Sequence, residues 1–180
     1  ISGYIGGLFD NIVMRIVDVF LAFPSLVLAI AVAGVLGGGM INAMIAIGVI
    51  GWTKYARLAR GEVLEIKEET FIKAARLSGN SSMYIVFKHI MPRVLSTLIV
   101  TASLDIGTTI MEMAALSFLG LSSPLPIPEW GAMMNEGKSM IQFAPWITIA
   151  PGIAIFIIVI LFNLLGDVVH DMLDPKQKEY

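Results

Sequence analysis

Residues 19–53, VFLAFPSLVLAIAVAGVLGGGMINAMIAIGVIGWT, run for 35 positions without a charged side chain. A helix crosses the bilayer core with about 20 apolar residues, so this stretch is too long for one span. Gly37-Gly38-Gly39 divides it, because three consecutive glycines form helix poorly and turn readily. The division predicts a first span over Ile12–Leu36 and a shorter second one over Met40–Ala56. In the second, only Met40–Thr53 is charge-free; Tyr55 suits the interface and Lys54 is long enough to snorkel.

Working outward, Val94–Leu121 predicts a third span, interrupted by Asp105 and Glu112. Ser139–Gly166 is charge-free, with Pro145 and Pro151 near its start, and predicts a fourth over Pro145–Gly166. The composition agrees: 57% hydrophobic and 14% charged residues, against about 25% charged in a soluble domain, with a mean hydropathy of +0.83. That excludes a soluble domain and a disordered segment alike. The expected fold is all-α: a polytopic transmembrane helical bundle of about four spans, one domain over residues 1–180. A cytoplasmic loop over 57–93 and an external loop over 122–144 lie within it. The chain opens on Ile1 with no basic n-region or cleavage site, so it reads as a fragment with upstream spans before it.

Orientation follows from the basic residues. Trp52–Arg93 holds eight of the twelve: Lys54, Arg57, Arg60, Lys67, Lys73, Arg76, Lys88 and Arg93. With four spans, this loop shares a side with Arg15, Lys176 and Lys178, and only Lys138 falls opposite. The positive-inside rule makes that side, including the C-terminus, cytoplasmic.

The loop is patterned as well as charged. Glu62–Leu77 reads as a helix, with Glu69 placed to pair with Lys73 one turn on. Gly79 fits a left-handed helix cap, and Asn80-Ser81-Ser82 supplies N-cap residues for the next helix. Met83–Met91 is then a short apolar helix ended by Pro92. Small Ala74 and Ala75, flanked by Lys73 and Arg76, suit close approach by another protein. A basic amphipathic element lying on lipid fits the pattern equally. A DNA-binding helix-turn-helix fits it poorly, because the loop is tethered at both ends; no nucleic-acid partner is expected.

Lys73-Ala74-Ala75-Arg76-Leu77-Ser78-Gly79, followed after nine residues by His89-Ile90-Met91-Pro92, resembles the "EAA" loop of ABC-importer permeases, E-A-A-x3-G-x9-I-x-L-P. Lys73 stands for the Glu, His89 for the Ile and Met91 for the Leu, while Ala74, Ala75, Gly79 and Pro92 match. Phe23-Pro24-Ser25, Ser117-Phe118-Leu119-Gly120-Leu121, Trp130-Gly131, Phe162–Asp167 and Leu173-Asp174-Pro175 are similar to the dipeptide/oligopeptide/nickel branch. The resemblance covers nearly the whole chain and implies the C-type subunit of a type I importer. It implies a coupling helix seated on a cytoplasmic ATPase, with Lys73, Ala74, Ala75, Arg76, Gly79, His89 and Pro92 at that contact. It also implies a second permease subunit as heterodimer partner, two ATPase subunits and an external solute-binding protein, in a bacterial or archaeal cytoplasmic membrane. This chain lacks a G-x-x-x-x-G-K-[ST] loop, so ATP and magnesium are expected on the partners. No cofactor is expected here, and no catalytic residue.

Charges inside spans are expensive. Arg15 and Asp18, three apart, read as a local ion pair. Asp105 and Glu112 lie seven apart on nearly one helical face, about 10 Å along the axis, and should face the bundle interior. They suit a cationic solute, or equally hydrogen bonds to neighbouring helices, with Asn163 a candidate on the same path. Leu104-Asp105-Ile106-Gly107 and Arg76–Gly79 resemble nickel members more than peptide members, a slight lean to nickel or a metal chelate. The competing class is an ion-coupled secondary transporter using the two acids as proton or sodium sites.

The absence of cysteine removes disulfides and thiolate chemistry. His89 and His170 supply too little for a zinc centre. Asp167, His170 and Asp171 form a polar cluster at the end of the last span, read as interface charges rather than a metal site. The external Pro124, Pro126, Pro128 and Trp130 make a stiff segment leading into a short helix within Gly131–Gln142. That segment suits either contact with a delivering protein or a plug at the pore mouth.

Overall fold

The computed structural model describes residues 2–122 and 127–173. Pro124, Pro126, Asp174, Pro175, Lys176 and Lys178 lie outside the described residues. The elements are α1 (Ser2–Ile5), α2 (Gly7–Leu21), α3 (Ser25–Val35), α4 (Met40–Ile66), α5 (Thr70–Leu77) and α6 (Ser82–Ile85). A π turn over Val86–Ile90 follows, then α7 (Met91–Phe118), α8 (Trp130–Gly137), a 3-10 turn over Lys138–Met140 and α9 (Trp146–Leu173). The described residues form helices and no strand, as expected for an all-α membrane protein.

The first expected span, Ile12–Leu36, is two helices. Pro24 (φ −59°, ψ 128°) caps the start of α3; its ring pushes the residue before it out of the helical region and it has no N–H to give. Gly37, Gly38 and Gly39 all take positive φ, between 72° and 97°, and turn the chain where expected. Asn42 seals the turn by donating from Nδ2 to the carbonyls of Leu36 (2.8 Å) and Gly38 (2.6 Å).

Helix α4 begins at Met40, as expected, but runs ten residues past Ala56. The expected Glu62–Leu77 helix is therefore split, its first turn ending α4 and its last two forming α5. The break follows from charge: Glu65 stands three and four residues before Glu68 and Glu69, where like charges repel. There the backbone tightens to three-residue bonds, Glu68 N–H to Glu65 O and Glu69 N–H to Ile66 O.

Pro92 ends no helix either. The π turn places the Met91 N–H on the Val86 carbonyl, five residues back, and this wider turn accommodates a proline that an α-helix interior rejects. Among the described residues, Ser82–Phe118 and Trp146–Met172 are long and apolar enough to cross a membrane, and α2 with α3 makes a third if taken as one broken span. Helix α4 does not join them, because its second half carries Lys54, Arg57, Arg60, Glu62 and Glu65.

The chain divides into two compact units, Ile1–Ala22 with Trp52–Thr101, and Phe23–Gly51 with Ala102–Tyr180. The first has a side-chain core of Val63, Ile66, Ile72, Ile85, Val86, Ile90 and Val94, with Tyr4, Ala59, Phe71, Ala75 and Leu98 packed against it. In the second, small residues make up much of the burial, Ala29 and Ala33 on α3 and Ala43 and Ala46 on α4, beside Ile50 and Leu116. At four glycines of this unit an added Cβ would come within 3.0 Å of a neighbouring atom. A Cβ at Gly166 would sit 2.9 Å from the Ser103 carbonyl oxygen, and one at Gly131 2.5 Å from that of Ala114. At Gly137 it would meet Thr148 Oγ1 at 2.5 Å, and Gly107 is covered by the Asn163 amide.

Candidate functional site

The seven loop residues picked from the sequence fall together in the first unit. Ile72 is buried beneath α5 while Lys73 and Ala74 face outward and Ala75 packs on the core. Gly79 follows α5 with φ 82°, and its N–H and that of Asn80 return to the carbonyls of Arg76 and Ala75, the expected glycine cap. Ser81 caps α6, accepting from the Tyr84 N–H at 3.3 Å. His89 lies edge-on to Phe71 and Tyr84, with ring centroids 6.1 and 5.9 Å away. Pro92 is exposed at the start of α7.

Ion pairs fix this platform in ways the sequence did not predict. Glu69 pairs with Arg93 rather than Lys73, both carboxylate oxygens accepting from Nη1 (2.9 and 3.0 Å). The Arg93 guanidinium also lies 4.6 Å over the Phe71 ring. Lys73 turns to Glu68 at 3.4 Å. Arg76 donates to the Tyr4 hydroxyl (3.2 Å) and stacks over its ring. Leu77, Met83, Tyr84 and Phe87 are exposed apolar side chains of this hairpin; Leu77 is 90% exposed. A rigid hairpin offering apolar side chains and small alanines is suited to seating in a groove of another protein.

The acids behave differently. Glu112 is half-buried and accepts from Ser25 Oγ at 3.2 Å. Asp105 is half-buried on α7. Asn163, on α9, covers Gly107 two residues from Asp105, so the structure brings Asn163 to the α7 segment that carries the acid. His170 meets Asp171 at 3.5 Å, and no group of three or more His, Cys, Asp or Glu residues is placed to hold a metal among the described residues.

Three features escaped the sequence reading. Asp18 pairs with Arg57 (2.5 Å), not with Arg15. Asp10, 3% exposed, takes Arg60 Nη2 at 2.7 Å and Nε at 2.8 Å. Glu129, just before α8, accepts hydrogen bonds from buried Ser117 and Ser122. An acid ahead of a helix N-terminus was the available signal for Glu129. For Asp10 the signal was a lone carboxylate among Leu8, Phe9 and Ile12.

The described residues thus form a helical membrane component that carries a packed helical hairpin. The chain belongs to the family described as binding-protein-dependent transport system inner membrane component, matched over residues 1–179. It is 46% identical over 178 residues to the dipeptide transport system permease protein DppC of Alkalihalophilus pseudofirmus, covering 99% of this chain and 59% of that protein. It is 47% identical over 175 residues to the glutathione transport system permease protein GsiD of Escherichia coli, covering 97% of this chain and 58% of that one. GsiD of Pectobacterium atrosepticum is likewise 47% identical over 178 residues, 99% and 59%. The chain thus spans somewhat under three fifths of the length of these relatives.

Proposed function

We propose that this chain is the greater part of a permease subunit that carries short peptides through an ATP-driven importer. The observation that supports it most is the identity of 46–47% to permeases named for dipeptide and glutathione, joined to a hairpin with exposed apolar side chains. In this reading those side chains and Lys73, Ala74, Ala75, Arg76 and Gly79 seat in a groove of a cytoplasmic ATPase, with His89 and Pro92 holding the hairpin's second arm. ATP and magnesium belong to two such partners, and a second permease subunit completes the path. A solute-binding protein delivers the peptide from outside. The basic residues of 57–93 support a cytoplasmic side for that loop in this reading.

Asp105, Glu112 and Asn163 line the path in the same reading, the acids meeting the peptide's ammonium group. Nickel or a metal chelate is the second reading, favoured by the Leu104–Gly107 segment and the two acids on α7. Family membership favours ATP over an ion gradient as the driving force.

The test is uptake by the full-length transporter in proteoliposomes with its binding protein. Labelled dipeptide, glutathione and nickel are offered with and without internal ATP. Peptide uptake that requires ATP, and is lost in Gly79→Trp, is expected. Uptake that follows an ion gradient without ATP overturns the proposal, and nickel uptake without peptide uptake selects the second reading.

A further inference from the structure

Helix α2 exposes apolar residues and buries an acid. Its exposed residues include Leu8, Phe9, Ile12, Ile16 and Val19, with polar Asn11, Arg15 and Asp18 among them. Its inward face, at helical spacing, is Asp10, Val13, Met14 and Val17, of which Asp10 and Val17 are buried. An acid is costly on such a face unless paired, and the pair is made fifty residues away, on α4. Asp18 repeats the arrangement with Arg57. The order is antiparallel: the earlier acid meets the later arginine. The acids stand eight residues apart and the arginines three, about 12 Å and 4.5 Å of helix, so two side-chain links of different reach join α2 to one stretch of α4.

That stretch is also the root of the hairpin. Val63 and Ile66, one and two turns past Arg60, belong to the platform core, and Tyr4 of α1 packs on the same core while bonding Arg76. The α1–α2 arm thus holds the platform at two points, Tyr4–Arg76 on α5 and Asp10–Arg60 on α4. A largely apolar, partly open pocket of about 240 Å³ adjoins Arg60, lined by Val13, Met14, Ala59, Val63, Ile90 and Val94 among others. Close-packed interiors transmit displacement without slack; a pocket here leaves the arm room to shift while its polar links hold. The second Asp10 oxygen, Oδ1, is buried without a hydrogen bond among the described residues, and the Ser2 side chain lies beside the carboxylate.

We propose that the α1–α2 arm is a second transmission element of the coupling platform, with Asp10 as its positioning residue through Arg60. The inference rests on the importer reading above. Movement of the hairpin reaches α2 through Asp10–Arg60 and Tyr4–Arg76, and α2 conveys it to the segment that follows.

The experiment measures solute moved per ATP hydrolysed by the complete transporter in proteoliposomes. Allosteric links of this kind carry 5–150-fold effects, so Asp10→Asn should lower the ratio at least about fivefold while ATP hydrolysis persists. Exchange of the charges, Asp10→Arg with Arg60→Asp, should restore much of it. The exposed pair serves if the buried variants fail to assemble: Asp18→Asn should lower the same ratio by a smaller factor. A normal ratio in both single variants overturns the inference. A wild-type transporter without ATP-dependent uptake overturns the importer reading instead, so the two failures are distinguishable.

Discussion

The two units are held together by opposite means. The platform unit fills its interior with branched aliphatic side chains, Ile72, Ile85 and Ile90 at or below 1% exposure. The other unit brings backbones together, with glycine at Gly107, Gly131, Gly137 and Gly166 where any side chain would collide. The difference follows from the surroundings each has to satisfy. The branched core around α5 and the π turn gains from burying apolar area. Helices in lipid gain nothing by hiding one leucine from another and depend on close contact, which small residues permit.

Four substitutions break or sharpen that contrast. The largest effect is expected for Ile72→Ala, which empties a fully buried site and should cost about 3 kcal/mol, read as a lowered thermal midpoint and lost ATPase binding. Gly166→Ala comes next. Its Cβ must displace the Ser103 carbonyl and Leu104, an overpacking cost of about 2 kcal/mol, measured as reduced monodisperse protein in detergent. Gly79→Ala meets no atom within 4 Å yet keeps a φ of 82°, so only backbone strain of about 1 kcal/mol remains, seen as a small shift in the hairpin's protease sensitivity. Leu77→Ser should leave stability within about 0.5 kcal/mol but weaken capture of the ATPase. If it weakens folding as well, Leu77 is structural and its docking role is misread.

The sequence was most legible where the physics is local. Gly37–Gly39, Gly79 and Ser81 act within a few residues of themselves, and each does in the structure what its chemistry predicts. Proline misled in both directions. Pro24 is submerged in an apolar run and its break went unread, whereas Pro92 announces a stop that a π turn absorbs. Charges misled most, because a helix-period rule finds only neighbours on the same helix. It offered Arg15 to Asp18 and Lys73 to Glu69, while the fold supplies Arg57 and Arg93 from distant elements. The hairpin's residues were therefore readable, and the arm that grips them was not.

The fifty-residue separation of Asp10 and Arg60 also has a meaning in time. Chains emerge at about 5–20 residues per second, so the carboxylate waits roughly 3–10 s for its guanidinium. Until then α2 has a bare acid on the face it must bury, and hydration of that acid keeps the helix from its final seat. The arm closes only once α4 has been made. The buried pair thus makes α2 settle only after a helix synthesised later than itself.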